Sequence, residues 1–136
     1  MRKILVADSA NITHFMVERI LGKEGFTVFY VKHARDISGQ INQIMPDILF
    51  LEPEISGGKG RKICEYLARR PETNHIPIIL VTRVTDTNKY NMLNWPGVQG
   101  ILRKPFKTDI VLEAVQRLNL ANTADFENLE RESDAV

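Results

Sequence analysis

The chain has a single cysteine, Cys64. An internal disulfide is excluded, and a reducing, cytoplasmic setting is the expectation. There is no apolar run of about 18 residues, the length a membrane-crossing helix needs, so no membrane association is expected. The opening Met1-Arg2-Lys3 leads into only Ile4 to Ala7 before Asp8 interrupts, which is too short for a signal peptide. An excess of one charge is also lacking: the net charge is +1. Direct binding of nucleic acid by the whole chain therefore has no electrostatic basis.

Several chemical motifs are missing as well. Ser56-Gly57-Gly58-Lys59-Gly60-Arg61-Lys62 has the composition of a phosphate loop. It lacks the G-x-x-x-x-G-K-[ST] spacing and reads as a flexible strand–helix loop. No G-x-G-x-x-G follows the first apolar run, so no dinucleotide site is expected. His14, His33 and His75 fall in separate elements without metal spacing. Cys64 has no base placed beside it and reads as a half-buried hydrophobe. Lys59, Arg61, Lys62, Arg69 and Arg70 form a basic stretch that reads as a solvated helix face.

What is present is ordinary globular material: 136 residues, 43% hydrophobic and 26% charged, enough for one core in one domain. The charge is unevenly spread. Residues 121–136 carry a net charge of −4 and the remainder +5. A globular domain over 1–120 is therefore expected, followed by an acidic tail or linker start over 121–136.

Within 1–120, short apolar runs alternate with helical spacing. Ile4-Leu5-Val6-Ala7 reads as a buried strand, and Ile12, Phe15, Met16 and Ile20 mark a helix capped by Asn11 and stopped by Gly25. Phe26 to Val31 reads as a second strand, and Ile37, Ile41 and Ile44 as a second helix closed by Met45-Pro46. Ile48-Leu49-Phe50-Leu51 and Ile78-Ile79-Leu80-Val81 are further strands, with a helix containing Ile63 and Leu67 between them. A short fourth helix is expected over 87–95 with Asp86 as its cap, then a weaker strand over Val98 to Leu102. A last helix starts at Thr108 or Asp109 and turns Ile110, Val111, Ala114, Val115 and Leu118 inward.

Five strands alternating with helices imply βαβ units: an α/β fold with a five-stranded parallel sheet between two helical layers, a three-layer α/β/α sandwich. Strands one, three and four lack polar alternation and are expected in the middle. In such a sheet the functional crevice lies beyond the carboxyl ends of the strands. The residues at those ends are Asp8-Ser9, Glu52-Pro53-Glu54, Thr82-Arg83 and Lys104-Pro105.

Carboxylates after strands one and three, a hydroxyl after strand four and Lys-Pro after strand five form a specific set. With Gly-Ile-Leu-Arg-Lys-Pro-Phe at 100–106, the chain resembles the response-regulator receiver family of two-component signalling from about Lys3 to Leu118. The resemblance implies a flavodoxin-like sheet of order 2-1-3-4-5 and a usually cis Lys104–Pro105 bond. It also implies two acids after strand one holding Mg²⁺ and an aspartate after strand three accepting a phosphoryl group. A Ser or Thr after strand four and a Lys after strand five would contact the phosphoryl oxygens.

Asp8, Thr82 and Lys104 match that pattern, but other positions depart from it. Ser9 replaces the second acid and Glu52 stands at the phosphoacceptor position. Glu54 lies where the family supplies a metal-binding backbone carbonyl. Arg83 replaces a small residue, and Ile101 replaces the aromatic that couples to the threonine. Mg²⁺ wants about six oxygen ligands at roughly 2.1 Å, and losing a charged one weakens the site. The extra methylene of Glu52 displaces its carboxylate by roughly 1 Å, a shift that can cost on the order of a hundredfold in rate.

The expectation is thus a non-enzymatic protein-interaction module in phosphorelay signalling, independent of aspartyl phosphorylation. Glu52 is expected to meet Lys104 and to set negative charge beside Thr82, as a bound phosphate would. Arg83 is expected to pair with Glu52 or Glu54, or to crowd the entrance. Purely structural roles compete: Asp8 as a helix N-cap, Thr82 satisfying loop backbone. No cofactor is expected, although Asp8 and Glu54 could still supply a weak Mg²⁺ site. The alternative is an Mg²⁺-dependent phosphoacceptor of weakened activity, serving as the sensor half of a longer transcriptional regulator. The expected partner is a signalling protein (a histidine kinase, an output domain or another regulator). It would dock on the face of the fourth helix, fifth strand and fifth helix, which includes Trp95, Val98, Ile101, Arg103 and Lys107.

Overall fold

Uniformly apolar segments build the centre of the sheet in the computed structural model, which describes residues 2–85 and 90–118. The strands are β1 (Arg2–Ala7), β2 (Phe26–Val31), β3 (Ile48–Leu51), β4 (Ile78–Thr82) and β5 (Val98–Arg103). They form one sheet of order β2-β1-β3-β4-β5, parallel at every pairing. All residues of β3 and β4 are buried, whereas β2 and β5 at the edges are partly exposed. That division follows from the lack of alternation in the central strands, which need apolar cover on both faces.

Helices α1 (Asn11–Leu21), α2 (Ile37–Ile44) and α3 (Gly60–Ala68) supply the cover. Leu5, Leu49, Leu51, Ile78 and Leu80 point to one face, where Ile37, Ile41 and Ile44 of α2 and Cys64 and Leu67 of α3 join them in one cluster. The alternate residues Ile4, Val6, Phe50, Ile79 and Val81 are also buried and face the other way. Val17, Ile20 and Leu21 of α1 are buried and lie outside the first cluster. Right-handed crossovers require this split, since β2 and β3 lie on opposite sides of β1. Each fully buried aliphatic or aromatic side chain is worth about 1.5–3 kcal/mol, so the central strands carry much of the stability.

Local signals act as the residue types dictate. Gly25 ends the turn after α1 with φ of 91°, a conformation costly for other residues. Thr73 is buried, and its hydroxyl donates to the Leu67 carbonyl at 2.8 Å, satisfying an acceptor at the end of α3. Gly60 opens α3 where a Cβ would lie 2.5 Å from Pro53 Cα. Its missing side chain lets α3 sit directly against the segment that follows β3.

Four local expectations change, the first being that Ile110, expected inward, is exposed. The residue flanking α1 is Ala10, not Asn11, and it gives no side-chain cap; Asn11 is already helical. Cys64 is fully buried rather than half-buried, and burial pushes its thiol up to about 12. Met92–Asn94 form only a 3-10 turn within the expected fourth helix, while 86–89, including the expected cap Asp86, lie outside the described residues. The acidic segment 121–136 also lies outside them.

The chain divides into two units, at Phe106 and Lys107. In the second, residues 108–118 are helical, and Arg117 pairs with Glu113 at 2.6 Å.

Candidate functional site

Parallel pairing brings the ends of the strands together, and backbone bonds hold the residues just beyond them. The Asp8 amide donates to the Val31 carbonyl at 3.1 Å, the Glu52 amide to Ala7 at 2.9 Å and the Lys104 amide to Thr82 at 2.8 Å. Each side chain therefore leaves a fixed point on the rim, as crevice residues of an open parallel sheet must. Ser9, Ala10, Glu52, Glu54, Arg83, Val84 and Lys104 line a cavity of about 540 Å³ there. The Lys104–Pro105 peptide bond is cis.

Lys104 is the cation at the centre. Its Nζ lies 2.7 Å from Oδ2 of Asp8 and 3.4 Å from Oε2 of Glu52. Asp8 is only 1% exposed. Its Oδ1 accepts the Ala10 amide at 2.8 Å, while among the described residues Oδ2 has no hydrogen bond of good geometry and faces the ammonium as an ion pair. A carboxylate so buried depends on that positive charge.

Glu52 turns toward Ser9. Its Oε1 accepts the Ser9 hydroxyl at 2.8 Å and the Ser9 amide at 3.2 Å. Burial by itself would raise the Glu52 pKa. The two Ser9 bonds and the charge of Lys104 outweigh it, and the carboxyl is held below its ordinary value.

Thr82 takes a different carboxylate. Its hydroxyl donates to Oε1 of Glu54 at 2.5 Å and accepts the Val84 amide at 3.1 Å. Glu54 reaches it because the chain turns sharply after β3: the Ile55 amide bonds the Glu52 carbonyl at 3.2 Å, with Pro53 and Ile55 buried.

The expected Glu52–Lys104 pair is present, but Lys104 lies closer to Asp8. Negative charge does reach Thr82, though from Glu54 rather than Glu52, because the Ser9 donors draw the Glu52 carboxylate away. Thr82 also serves loop backbone by accepting the Val84 amide, the structural role expected for it. Asp8 bonds the Ala10 amide ahead of α1 and is not the residue that flanks the helix. Arg83 lines the cavity and is exposed, yet among the described residues it pairs with neither Glu52 nor Glu54. Those carboxylates are already engaged by shorter, better placed donors.

Residues 4–116 match the response regulator receiver domain. The chain belongs to this family. This receiver is similar to the phosphate regulon transcriptional regulatory protein PhoB of Rhizobium meliloti, 26% identical over 116 residues, covering 85% of the chain and 51% of PhoB. It is also similar to protein PilH of Pseudomonas aeruginosa, 24% identical over 115 residues, covering 85% and 95%. The chain spans about half the length of the first curated relatives it matches. Among solved structures, the chemotaxis response regulator CheY4 of Vibrio cholerae superposes with a TM-score of 0.78 at 22% identity, covering 86% of the chain and 98% of CheY4. That likeness bears on the fold.

Receivers typically bind Mg²⁺ at the phosphorylation site and interact with histidine kinases, output domains or other regulators. The side chains of this receiver do not fit the ion as arranged. The one buried acid after β1 already faces an ammonium, and its neighbour Ser9 spends its hydroxyl proton on Glu52. Glu54 is engaged by Thr82. Among the described residues no three His, Cys, Asp or Glu side chains converge on a point a metal could occupy.

Tyr30, near the end of β2, was not among the expected site residues. Burial, then the charges of Asp8 and Glu52, raise its phenol pKa. The hydroxyl donates to Asn11 Oδ1 at 3.2 Å, and the ring stacks on His14 with centroids 4.6 Å apart. Its position on an edge strand beside Asp8 was the only sequence signal for it.

Proposed function

We propose that this receiver signals as a protein-interaction module without phosphoryl turnover, with Glu52 standing at the phosphoacceptor position. One observation carries the reading. The two groups that would contact phosphoryl oxygens, Lys104 and Thr82, already meet carboxylates of the chain itself: Asp8 and Glu52 for the lysine, Glu54 for the threonine. Two polar groups, Lys104 with Asp8, Glu52 and Ser9, and Thr82 with Glu54, then substitute for the liganded state. Arg83, which among the described residues has no ion-pair partner, adds a positive entrance at the mouth of the cavity.

In this reading Glu52 supplies charge rather than a nucleophile, and the domain catalyses nothing. The output is a surface. Trp95, Val98 and Ile101 are partly buried against the core cluster, so a change in the network at the adjacent strand end can reach them through β5. Arg103 is exposed beside them. The partner is a signalling protein such as a histidine kinase, an output domain or another regulator.

The test is incubation of the whole chain with a small phosphodonor and Mg²⁺, read by intact mass. No stable gain of mass is expected. A single phosphoryl group mapped to Glu52 would overturn the proposal and favour a weakened phosphoacceptor.

A further inference from the structure

A second concavity lies away from the crevice, between the start of α2 and the exposed side of α3, with a volume of about 590 Å³. Its floor is aliphatic: Ile37, Ile63 and Leu67. Its rim carries Arg35, Lys59 and Lys62, all exposed, and among the described residues no carboxylate lines it. Among the described residues these three cations have no ion-pair partner, whereas neighbouring Arg61 and Arg70 pair with Glu65 and Glu72. Ser56 ties the two walls together, its hydroxyl accepting the Ala34 amide at 2.9 Å across the groove.

We propose that this groove docks an acidic peptide segment of a partner protein, anchored by an apolar side chain. Charge complementarity selects the acidic partner. Three cations that no described carboxylate pairs create a local positive potential that favours carboxylates and steers their approach. The aliphatic floor selects the anchor, because burying an apolar side chain there removes both surfaces from water.

Other anions fit less well. In the loop that resembled a phosphate site three successive amides are already taken: Gly58 bonds the Glu54 carbonyl, Lys59 bonds Ile55 and Gly60 bonds Pro53. Those N–H groups are not offered to a phosphate. Of the two rings that line the groove, His33 and Tyr66, the phenol is taken by Arg70, whose guanidinium donates to its hydroxyl at 2.7 Å and covers its ring at 5.2 Å. A nucleotide base would have to displace it. The inference is independent of whether Glu52 accepts a phosphoryl group.

The probe is a fluorescent synthetic peptide of glutamates carrying one Phe and one Leu a helical turn apart, titrated into the whole chain and followed by anisotropy. Saturable binding is expected. It should weaken by on the order of tenfold in Lys59→Glu/Lys62→Glu, because reversed rim charges repel the ligand. It should be lost when the peptide's Phe and Leu are replaced by Ser. Both lysines are exposed, so circular dichroism of the variant should be unchanged. Methyl NMR shifts of Ile37, Ile63 and Leu67, without shifts of Val98 and Ile101, should locate the peptide. Absence of binding, equal binding of the Ser-substituted peptide, equal binding by the charge-reversed variant, or tighter binding of inorganic polyphosphate or duplex DNA would each overturn the proposal.

Discussion

The hydroxyl of Thr82 donates to a carboxylate oxygen of Glu54 at 2.5 Å. Thr82 ends β4 and Glu54 follows β3, so this bond ties together the tips of two neighbouring strands. Thr82 is fully buried, and its hydroxyl hydrogen bonds within the chain.

Removing either partner should therefore cost stability, and removing both should cost less than the sum. A hydrogen bond to a charged group is worth about 1.5–3 kcal/mol. Glu54→Gln and Thr82→Val should each lower the unfolding free energy, Thr82→Val more, because it also strands the Val84 amide. A double-mutant cycle by urea denaturation should return a coupling of about 1 kcal/mol or more. A coupling near zero would mean that the two side chains do not depend on each other.

Lys104 matters in a different way, because it compensates a buried charge. Lys104→Met leaves the Asp8 carboxylate 1% exposed with no cation beside it. Breaking one partner of a buried pair costs about 3–5 kcal/mol, and this partly open pair should fall near the low end. Adding Asp8→Asn should recover much of the loss, since a neutral amide no longer requires the cation. Thermal melts of the three variants check the order: Lys104→Met least stable, the double variant between it and the parent.

Much of this arrangement could be read from the sequence, for a physical reason. Strands buried on both faces must be apolar throughout, so Ile4–Ala7, Ile48–Leu51 and Ile78–Val81 stood out without alternation, and parallel pairing then places their ends together. Asp8, Glu52, Thr82 and Lys104 followed from that rule. Which carboxylate meets which donor did not follow. It depends on the turn at Pro53–Ile55 and on the direction Glu52 takes toward Ser9, both of which are settled by hydrogen bonds to backbone amides. That Arg83 pairs with neither Glu52 nor Glu54 was hidden for the same reason: both acids are held by nearer groups. The cap of α1, not its start, was misassigned: Ala10 flanks the helix without a side-chain cap, and Asp8 takes the Ala10 amide.

The depressed pKa of Glu52 predicts an acid-sensitive component of stability. A carboxyl whose folded pKa lies below its unfolded value stabilises the fold above the unfolded pKa, about 4.3 for glutamate. That contribution is lost as pH falls through the folded value. Unfolding free energies should thus fall more steeply below about pH 4.3 for the parent than for Glu52→Gln, which cannot titrate there. Parallel curves would show that Glu52 gains nothing from Ser9 and Lys104.

Gly60 should tolerate no side chain. A Cβ there would lie 2.5 Å from Pro53 Cα and 2.7 Å from the Pro53 carbonyl oxygen, both backbone atoms that cannot rotate away. In an open helical position Ala would be favoured over Gly by about 1 kcal/mol. Here overpacking should reverse the sign, and Gly60→Ala should destabilise by about 1–3 kcal/mol. The displaced segment leads directly into Glu54, so the amide and hydroxyl signals of Thr82 should also shift in NMR spectra.

The last prediction concerns the chemistry that the network replaces. If Glu52 and Ser9 together suppress phosphoryl transfer, restoring the family pattern at both should bring it back. Glu52→Asp retracts the carboxylate by roughly 1 Å, a displacement worth on the order of a hundredfold when it corrects geometry. It also frees the Ser9 donors and opens space beside Lys104. Ser9→Asp adds a second acid after β1 and so a second charged oxygen ligand for Mg²⁺. The double variant, given a small phosphodonor and Mg²⁺, should gain one phosphoryl group by intact mass, mapped to position 52. Each single variant should gain less, because one lacks the metal ligand and the other still fills the acceptor space. Should the double variant stay unmodified while folded, the block would lie instead with Arg83 at the entrance or with Glu54, whose carboxylate holds the threonine that must contact the transferred group.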